Sequence, residues 1–298
     1  MIDIEEAKKL DRQDPLAKFR ERFLNRDHEI YLDGNSLGKL PLAAIPVLEE
    51  TISNQWGKQL IRSWNKNWLE LPKRLSRKYC ELLNADEGEL VFGESTSVRI
   101  YQIIFALLES NIYPKKILTD ALNFPTDLYV LHGLAKHFSI PDVQVIHYDQ
   151  EIEANLDRLK DAIRKSPGIV CLSLVTYKSS YLYPIKELNH WAAAHKSIII
   201  WDLSHAVGAL EIDFKTTETL VALGCTYKYM NGGPGSPAFL YVHKKLQDNL
   251  QNPIQGWFGH QHPFAFETKY KAAKGLERFN NGTPPILSMQ ATETGIDL

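Results

Sequence analysis

The chain has 298 residues, 44% of them apolar and 23% charged, and its 34 basic and 36 acidic side chains leave a formal charge of −2. That composition excludes a disordered, collagen-like or disulfide-stapled chain, and the near-neutral charge gives no reason to expect nucleic acid or an anionic membrane as a partner. At about 150 residues per domain, the length allows one large domain or two small ones.

The first 30 residues are charged and helix-prone and read as an N-terminal arm. Their opening, MIDIEE, lacks the apolar stretch of a signal peptide. A turn-rich stretch follows at 33–38 (DGNSLG), and residues 42–61 and 64–83 carry apolar side chains at helical spacing. Beyond residue 88, short apolar runs alternate with helical patterns. Strands are expected at 89–92, 116–119, 143–148, 169–176, 197–201, 220–226 and 238–243. Helices are expected at 96–109, 125–138, 155–165 and 184–195, the second opened by Pro125. The early strand runs are continuously apolar, as in strands covered on both faces. The predicted class is therefore α/β, a doubly wound and mostly parallel sheet of about seven strands flanked by helices. Residues 228–237 leave no room for a helical crossover, which takes about a dozen residues, so the last strand is expected to run antiparallel. No apolar run approaches the ~18 residues of a membrane span. Cys80, Cys171 and Cys225 are scattered, with no CxxC, and read as thiols of a reducing compartment, so a cytoplasmic location is expected.

Open α/β sheets bind ligands outside the carboxyl ends of their strands. Thr96 and Ser97 open a helix there. Hydroxyls and free N–H groups at that point suit an anion, although the same residues also serve as a plain N-cap. Neither a dinucleotide glycine motif nor a P-loop is present. Asp202 ends an apolar run, where a carboxylate is costly unless it meets a cation, and His205 follows it. Lys228 is the sharpest candidate. Tyr227 and Tyr229 flank it, and a glycine-rich loop (NGGPG, 231–235) follows. A lysine so placed suits a Schiff base with a carbonyl cofactor, pyridoxal phosphate above all. One site then accounts for the set. Lys228 holds the aldehyde, Asp202 pairs with the pyridinium nitrogen, Thr96 and Ser97 hold the phosphate, and Phe124 or His205 covers the ring. His260 and His262 form a pair without a third ligand, so no metal is expected.

Seven segments carry a resemblance. They are 31–38 (YLDGNSLG), 95–98 (STSV), 124–127 (FPTD), 202–206 (DLSHA), 227–235 (YKYMNGGPG), 256–260 (GWFGH) and 282–289 (GTPPILSM). In this order they resemble the kynureninases, pyridoxal-phosphate hydrolases of fold type I. The blocks at 256–260 and 283–287 distinguish that family from the cysteine desulfurases. The resemblance implies pyridoxal 5'-phosphate as cofactor, a homodimer, and a large domain followed by a small C-terminal one. It also implies cleavage of L-kynurenine or its 3-hydroxy form to an anthranilate and L-alanine, in tryptophan catabolism and NAD biosynthesis.

Matching positions imply roles. Lys228 is similar to the family's Schiff-base lysine, and Tyr227 to a phosphate ligand that also serves in proton transfer. Thr96 and Ser97 match the phosphate-side pair, and Phe124 the residue stacked on the ring, with Asp127 in the same block. Asp202 matches the pyridinium partner, and Ser173 and His205 further cofactor contacts. Trp257 and Thr283 match phosphate contacts made across the dimer interface, and Ser36 and Trp64 the substrate side. Two departures stand out. Arg99 occupies a position where the family carries Asn. Family members also continue past the 283–287 block into the small domain, which carries an arginine for the substrate carboxylate. The expectation is therefore an arm at 1–45, a large domain at 46–275 and the start of a truncated small domain at 276–298, with at most trace turnover. The alternatives are a cofactor-binding remnant without activity and another fold-type-I lyase, such as a desulfurase.

Overall fold

The structure is a computed structural model that describes residues 3–25 and 29–298, so residues 1–2 and 26–28 of the expected arm lie outside the described residues. Helix α1 (Ile4–Gln13) is capped by the Asp3 carboxylate, which accepts from Glu6 N at 2.8 Å. Helix α2 (Ala44–Glu50) runs on into a wider-turned segment, Thr51–Gln59. The helix expected over 64–83 is two pieces, a wide turn at Trp64–Trp68 and α3 (Leu71–Leu83). Pro72 accounts for the restart. It has no N–H to continue a preceding turn, but it suits a first one.

Seven strands follow: β1 (Leu90–Phe92), β2 (Ile117–Asp120), β3 (Gln144–Ile146), β4 (Ile169–Ser173), β5 (Ile198–Asp202), β6 (Val221–Gly224) and β7 (Phe239–Val242). They form one sheet in the order β1-β7-β6-β5-β4-β2-β3. β7 runs antiparallel to both its neighbours, β1 and β6, as the short 228–237 connection requires, and the other pairings are parallel. Helices α4 (Thr96–Ser110), α5 (Pro125–His137), α6 (Leu156–Lys165) and α7 (Ile185–Ala194) make the connections. Successive strand residues feed opposite layers of core. Leu172, Trp201 and Phe239 join one apolar cluster, and Cys171, Ile200 and Leu240 the other. β6 ends at Gly224, short of the expected Thr226. The Thr226 hydroxyl instead closes the following loop, through Ser236 Oγ and Pro237 O, each at 2.7 Å.

After β7 come α8 (Lys244–Gln247) and α9 (Ile286–Ile296). α9 lies on α3. Arg74 donates to both Glu293 oxygens, at 3.0 and 2.9 Å, and Lys78 reaches Glu293 at 3.1 Å and Asp297 at 2.6 Å. Gly295 lets α9 close on the Met230 carbonyl, where a Cβ would collide. No helix among the described residues is long and apolar enough to cross a membrane. The carboxyl ends of all strands but β7 share one edge of the sheet, and the site lies there.

Candidate active site

A cavity of about 530 Å³ opens at that edge. Lys228 enters it from the loop after β6 and is 8% exposed. Its Nζ lies 2.7 Å from His205 Nε2, 5.6 Å from the Phe124 ring centre and 5.9 Å from that of Tyr227. The early turn at 33–38 clamps this loop. Gly38 N donates to Tyr227 O at 2.8 Å, and a Cβ on Gly38 would collide with Lys228 O. No side chain larger than hydrogen fits that approach.

Two buried carboxyls share the cavity. Asp202, at the end of β5, accepts from Ser204 N (2.8 Å) and Ser204 Oγ (2.6 Å) at one oxygen. The same Ser204 Oγ accepts from Cys225 N at 3.0 Å, which ties the ends of β5 and β6 together. Asp127 sits in the first turn of α5, and its Oδ2 is buried without a partner. Burial pushes both carboxyls above their usual range. The charge of Asp202 pushes Asp127 further up, while Lys228 pulls both back. Burial, then the charge of Lys228, brings His205 down to about 4, so its ring is neutral near pH 7. A lysine N–H donates, so Nε2 accepts and the ring proton sits on Nδ1, which is buried without an acceptor. Burial also raises the Tyr227 phenol, which therefore keeps its proton.

The other expected residues divide into two groups. Thr96, Ser97, Phe124 and Thr283 line this cavity, and Ser95 caps α4 beside it by accepting from Val98 N at 3.4 Å. Ser173 and Trp257 are not on its wall. Ser173 ends β4 and donates its backbone N–H to Asn123 Oδ1. Trp257 lies in an aromatic cluster, 6.5 Å from Trp64 and 5.7 Å from Phe264 between ring centres. Trp64 lines a separate apolar groove, which shares Thr283 and Pro285 with the cavity. Ser36 is exposed in the clamping turn. His262 N donates to His260 Nδ1 at 3.0 Å, and the described residues contain no group of three metal-ligand side chains. Arg99 also stays off the cavity wall. It is fully buried, donating to Gly93 O at 3.0 Å, Gln102 Oε1 at 3.1 Å and Phe279 O at 2.8 Å, and burial brings it down to about 10. Among the described residues, Lys228 is the one lysine or arginine on the wall. The sequence reading gave no site role to Ser204, although it lies inside the 202–206 motif, or to Cys225, which it took only as a thiol.

A sequence profile of the Aminotransferase class-V family matches residues 30–298. Kynureninase of Pseudomonas fluorescens is 38% identical over 294 residues, which is 97% of this chain and 69% of that one. The chain belongs to the kynureninase family. Kynureninase of Burkholderia pseudomallei (strain K96243) is likewise 38% identical, over 99% of this chain and 70% of its own. The chain thus spans about 70% of the length of these kynureninases. Solved structures agree on the fold. An apo cysteine desulfurase from Thermococcus onnurineus NA1 has a TM-score of 0.78 at 17% identity, covering 94% of this chain and 70% of its own. A mutant of C-DES, with glycine covalently linked to its pyridoxal-phosphate cofactor, has a TM-score of 0.81 at 16% identity, over 93% and 73%. Kynureninases are pyridoxal-phosphate enzymes, as is the class-V family around them. The cavity fits that group chemically. It offers an amine for the aldehyde, the buried Asp202 carboxyl for a ring N–H with the unpartnered Asp127 Oδ2 in the same cavity, and a helix N-terminus with hydroxyls for the phosphate.

Proposed function

We propose that the cavity holds pyridoxal 5'-phosphate on Lys228, and that the chain cleaves the Cβ–Cγ bond of L-kynurenine or 3-hydroxy-L-kynurenine. The observation that carries this is a buried lysine beside two buried carboxyls, in a family of pyridoxal-phosphate enzymes. When bound, the cofactor supplies an electron sink for charge that develops beside the substrate nitrogen.

The side chains of the chain do the rest. Asp202, oriented by Ser204, would hold the ring nitrogen, with Asp127 in the same cavity. Thr96, Ser97 and the first turn of α4 would hold the phosphate, and Phe124 would cover a ring face. Lys228 Nζ moves the proton at the substrate α-carbon, and His205 Nε2 orients that amine. Tyr227, kept protonated by burial, donates where negative charge leaves. The net reaction adds one water across the cleaved bond. Hydroxyl goes to the aryl carbonyl carbon and a proton to the alanine methyl, giving an anthranilate and L-alanine.

Burial raises the thiols of Cys171 and Cys225 and pushes Cys80 up to about 11. A desulfurase-type reading needs a thiolate nucleophile, which these thiols do not supply. We also propose a homodimer in which the partner subunit completes the phosphate side, because the motif residue Trp257 stands off its own cavity. Release of anthranilate, followed by fluorescence, tests the reaction. Cofactor bound on Lys228 without any anthranilate from either substrate would overturn the catalytic half of the proposal. A cofactor-loaded monomer in light scattering would overturn the dimer.

A further inference from the structure

β2 and β4 part company just below the cavity. β4 stays paired with β5 to its last residue, Ser173 opposite Asp202. Against β2 it is paired only at Ile169 and Val170, opposite Ile117 and Leu118. Cys171 O and Ser173 N face that opening without a strand partner. Buried peptide groups of this kind must find one. Here a single side chain serves both. Asn123 Nδ2 donates to Cys171 O at 2.9 Å and to Thr119 Oγ1 at 3.0 Å, and Asn123 Oδ1 accepts from Ser173 N. Thr119 Oγ1 donates to the same Cys171 O at 2.8 Å. The carboxamide thus stands in for the missing strand, with one acceptor and one donor group offered to the edge of β4.

The other end of this short loop is equally fixed. Asp120 accepts from Leu122 N at 3.0 Å, from Tyr148 OH at 3.1 Å and from Tyr183 OH. Ala121 N donates to Ile146 O at 2.9 Å. The next residue after Asn123 is Phe124, whose ring packs against Tyr177 at 5.2 Å and stands 5.6 Å from Lys228 Nζ. Three residues further on is Asp127, with its unpartnered oxygen.

We infer that Asn123 is a positioning residue, its side chain wedged between β2 and β4 to set where Phe124 and Asp127 meet the cofactor. The inference rests on the proposed placement of the cofactor in this cavity. Two near-isosteric variants test it. Asn123→Asp keeps the acceptor for Ser173 N and loses both N–H donors, and Thr119→Val removes one partner of that wedge. Cofactor-free protein is titrated with pyridoxal 5'-phosphate, and the visible circular dichroism of the loaded form is recorded. Asn123→Asp should bind the cofactor about tenfold more weakly, with Thr119→Val between it and the parent. The visible dichroism should fall in the same order, since it reports how the ring is held. Borohydride should still fix the cofactor on Lys228 in both. Lower melting temperatures with affinity and dichroism unchanged in both variants would make Asn123 a structural residue only and overturn the inference. A parent protein that carries no cofactor on Lys228 would instead defeat the functional proposal beneath it, whatever Asn123 does.

Discussion

Two regions of this molecule bury polar side chains to the same depth and treat them in opposite ways. At the junction between α4 and the segment before α9, Arg99, Gln102, Asn252 and Asn281 are all at most 9% exposed. Their amides close on one another. Gln102 Nε2 reaches Asn252 and Asn281 Oδ1, each at 3.0 Å, Asn252 Nδ2 reaches Asn281 at 2.8 Å, and Asn281 Nδ2 reaches Glu94 at 3.0 Å. Only Arg99 Nη2 in this group lacks a partner. In the cavity, by contrast, most of the buried polar groups are ionisable, and Asp127 Oδ2 and His205 Nδ1 remain open. A closed network of amides holds the chain together, whereas open carboxyl and imidazole atoms cost stability until something binds them. The difference separates polar residues that close on one another from those that leave open atoms at the cavity.

That contrast can be broken at both ends. Lys228→Ala should show the largest effect. Borohydride should then fix no cofactor, and kcat for anthranilate formation should fall by about 10²–10⁴-fold. Cofactor fixed on another lysine would remove Lys228 from the centre of the site. Arg99→Met should cost about 3 kcal/mol in urea unfolding, since it strands Gly93 O and Gln102 Oε1 and leaves Phe279 O with only the longer bond from Gln102 Nε2, at 3.4 Å. Its cofactor affinity should change far less than its stability. The reverse pattern would mean that the junction belongs to the site.

Asp127→Asn should act in the opposite direction and stabilise the cofactor-free protein by about 1 kcal/mol near pH 7. The sign follows from burial. A carboxyl whose folded pKa is raised loses stability as pH climbs from its unfolded value, about 3.9, through the folded one. The parent should therefore weaken over that climb more than the variant, in unfolding curves taken across pH. Equal pH profiles would show that the carboxyl is already compensated.

The smallest effect is expected at the ion pairs of α9. Burial works against the Glu293 charge, but the bonds from Arg74 and Lys78 outweigh it and hold the carboxyl below its usual range. Its contribution should be present above the unfolded value, about 4.3, and lost as pH falls through the depressed one. Glu293→Gln should cost about 0.5 kcal/mol at neutral pH, because Arg74 is partly exposed, and nothing at low pH. A pH-independent cost would point to packing of α9 rather than charge.

Most of the architecture was legible in the chain. Continuous apolar runs marked buried strands, and the length of the 228–237 loop alone dictated that β7 turn back. Where the reading failed, local propensity met a tertiary constraint. The pattern at 64–83 is helical throughout, yet Pro72 divides it. β6 stops early because Thr226 is needed to close the loop bearing Lys228.

The candidate site divides in the same way. The sequence by itself determined which chemistry was available, because a lysine before a glycine loop and an aspartate ending an apolar run are local signatures. It also determined the family, through seven ordered motifs. Only the tertiary structure decided which of those residues share a cavity. It kept Ser173 and Trp257 off the wall, buried Arg99 among carbonyls, and brought Gly38 onto Lys228 across 190 residues of chain. Asn123 is the sharpest case. Nothing in its own neighbourhood of sequence says that two strands diverge beside it. The physical reason is that periodicity and turn chemistry act over a few residues. Which peptide groups a sheet leaves unpaired depends on strand order and register, and those are settled by contacts between distant parts of the chain.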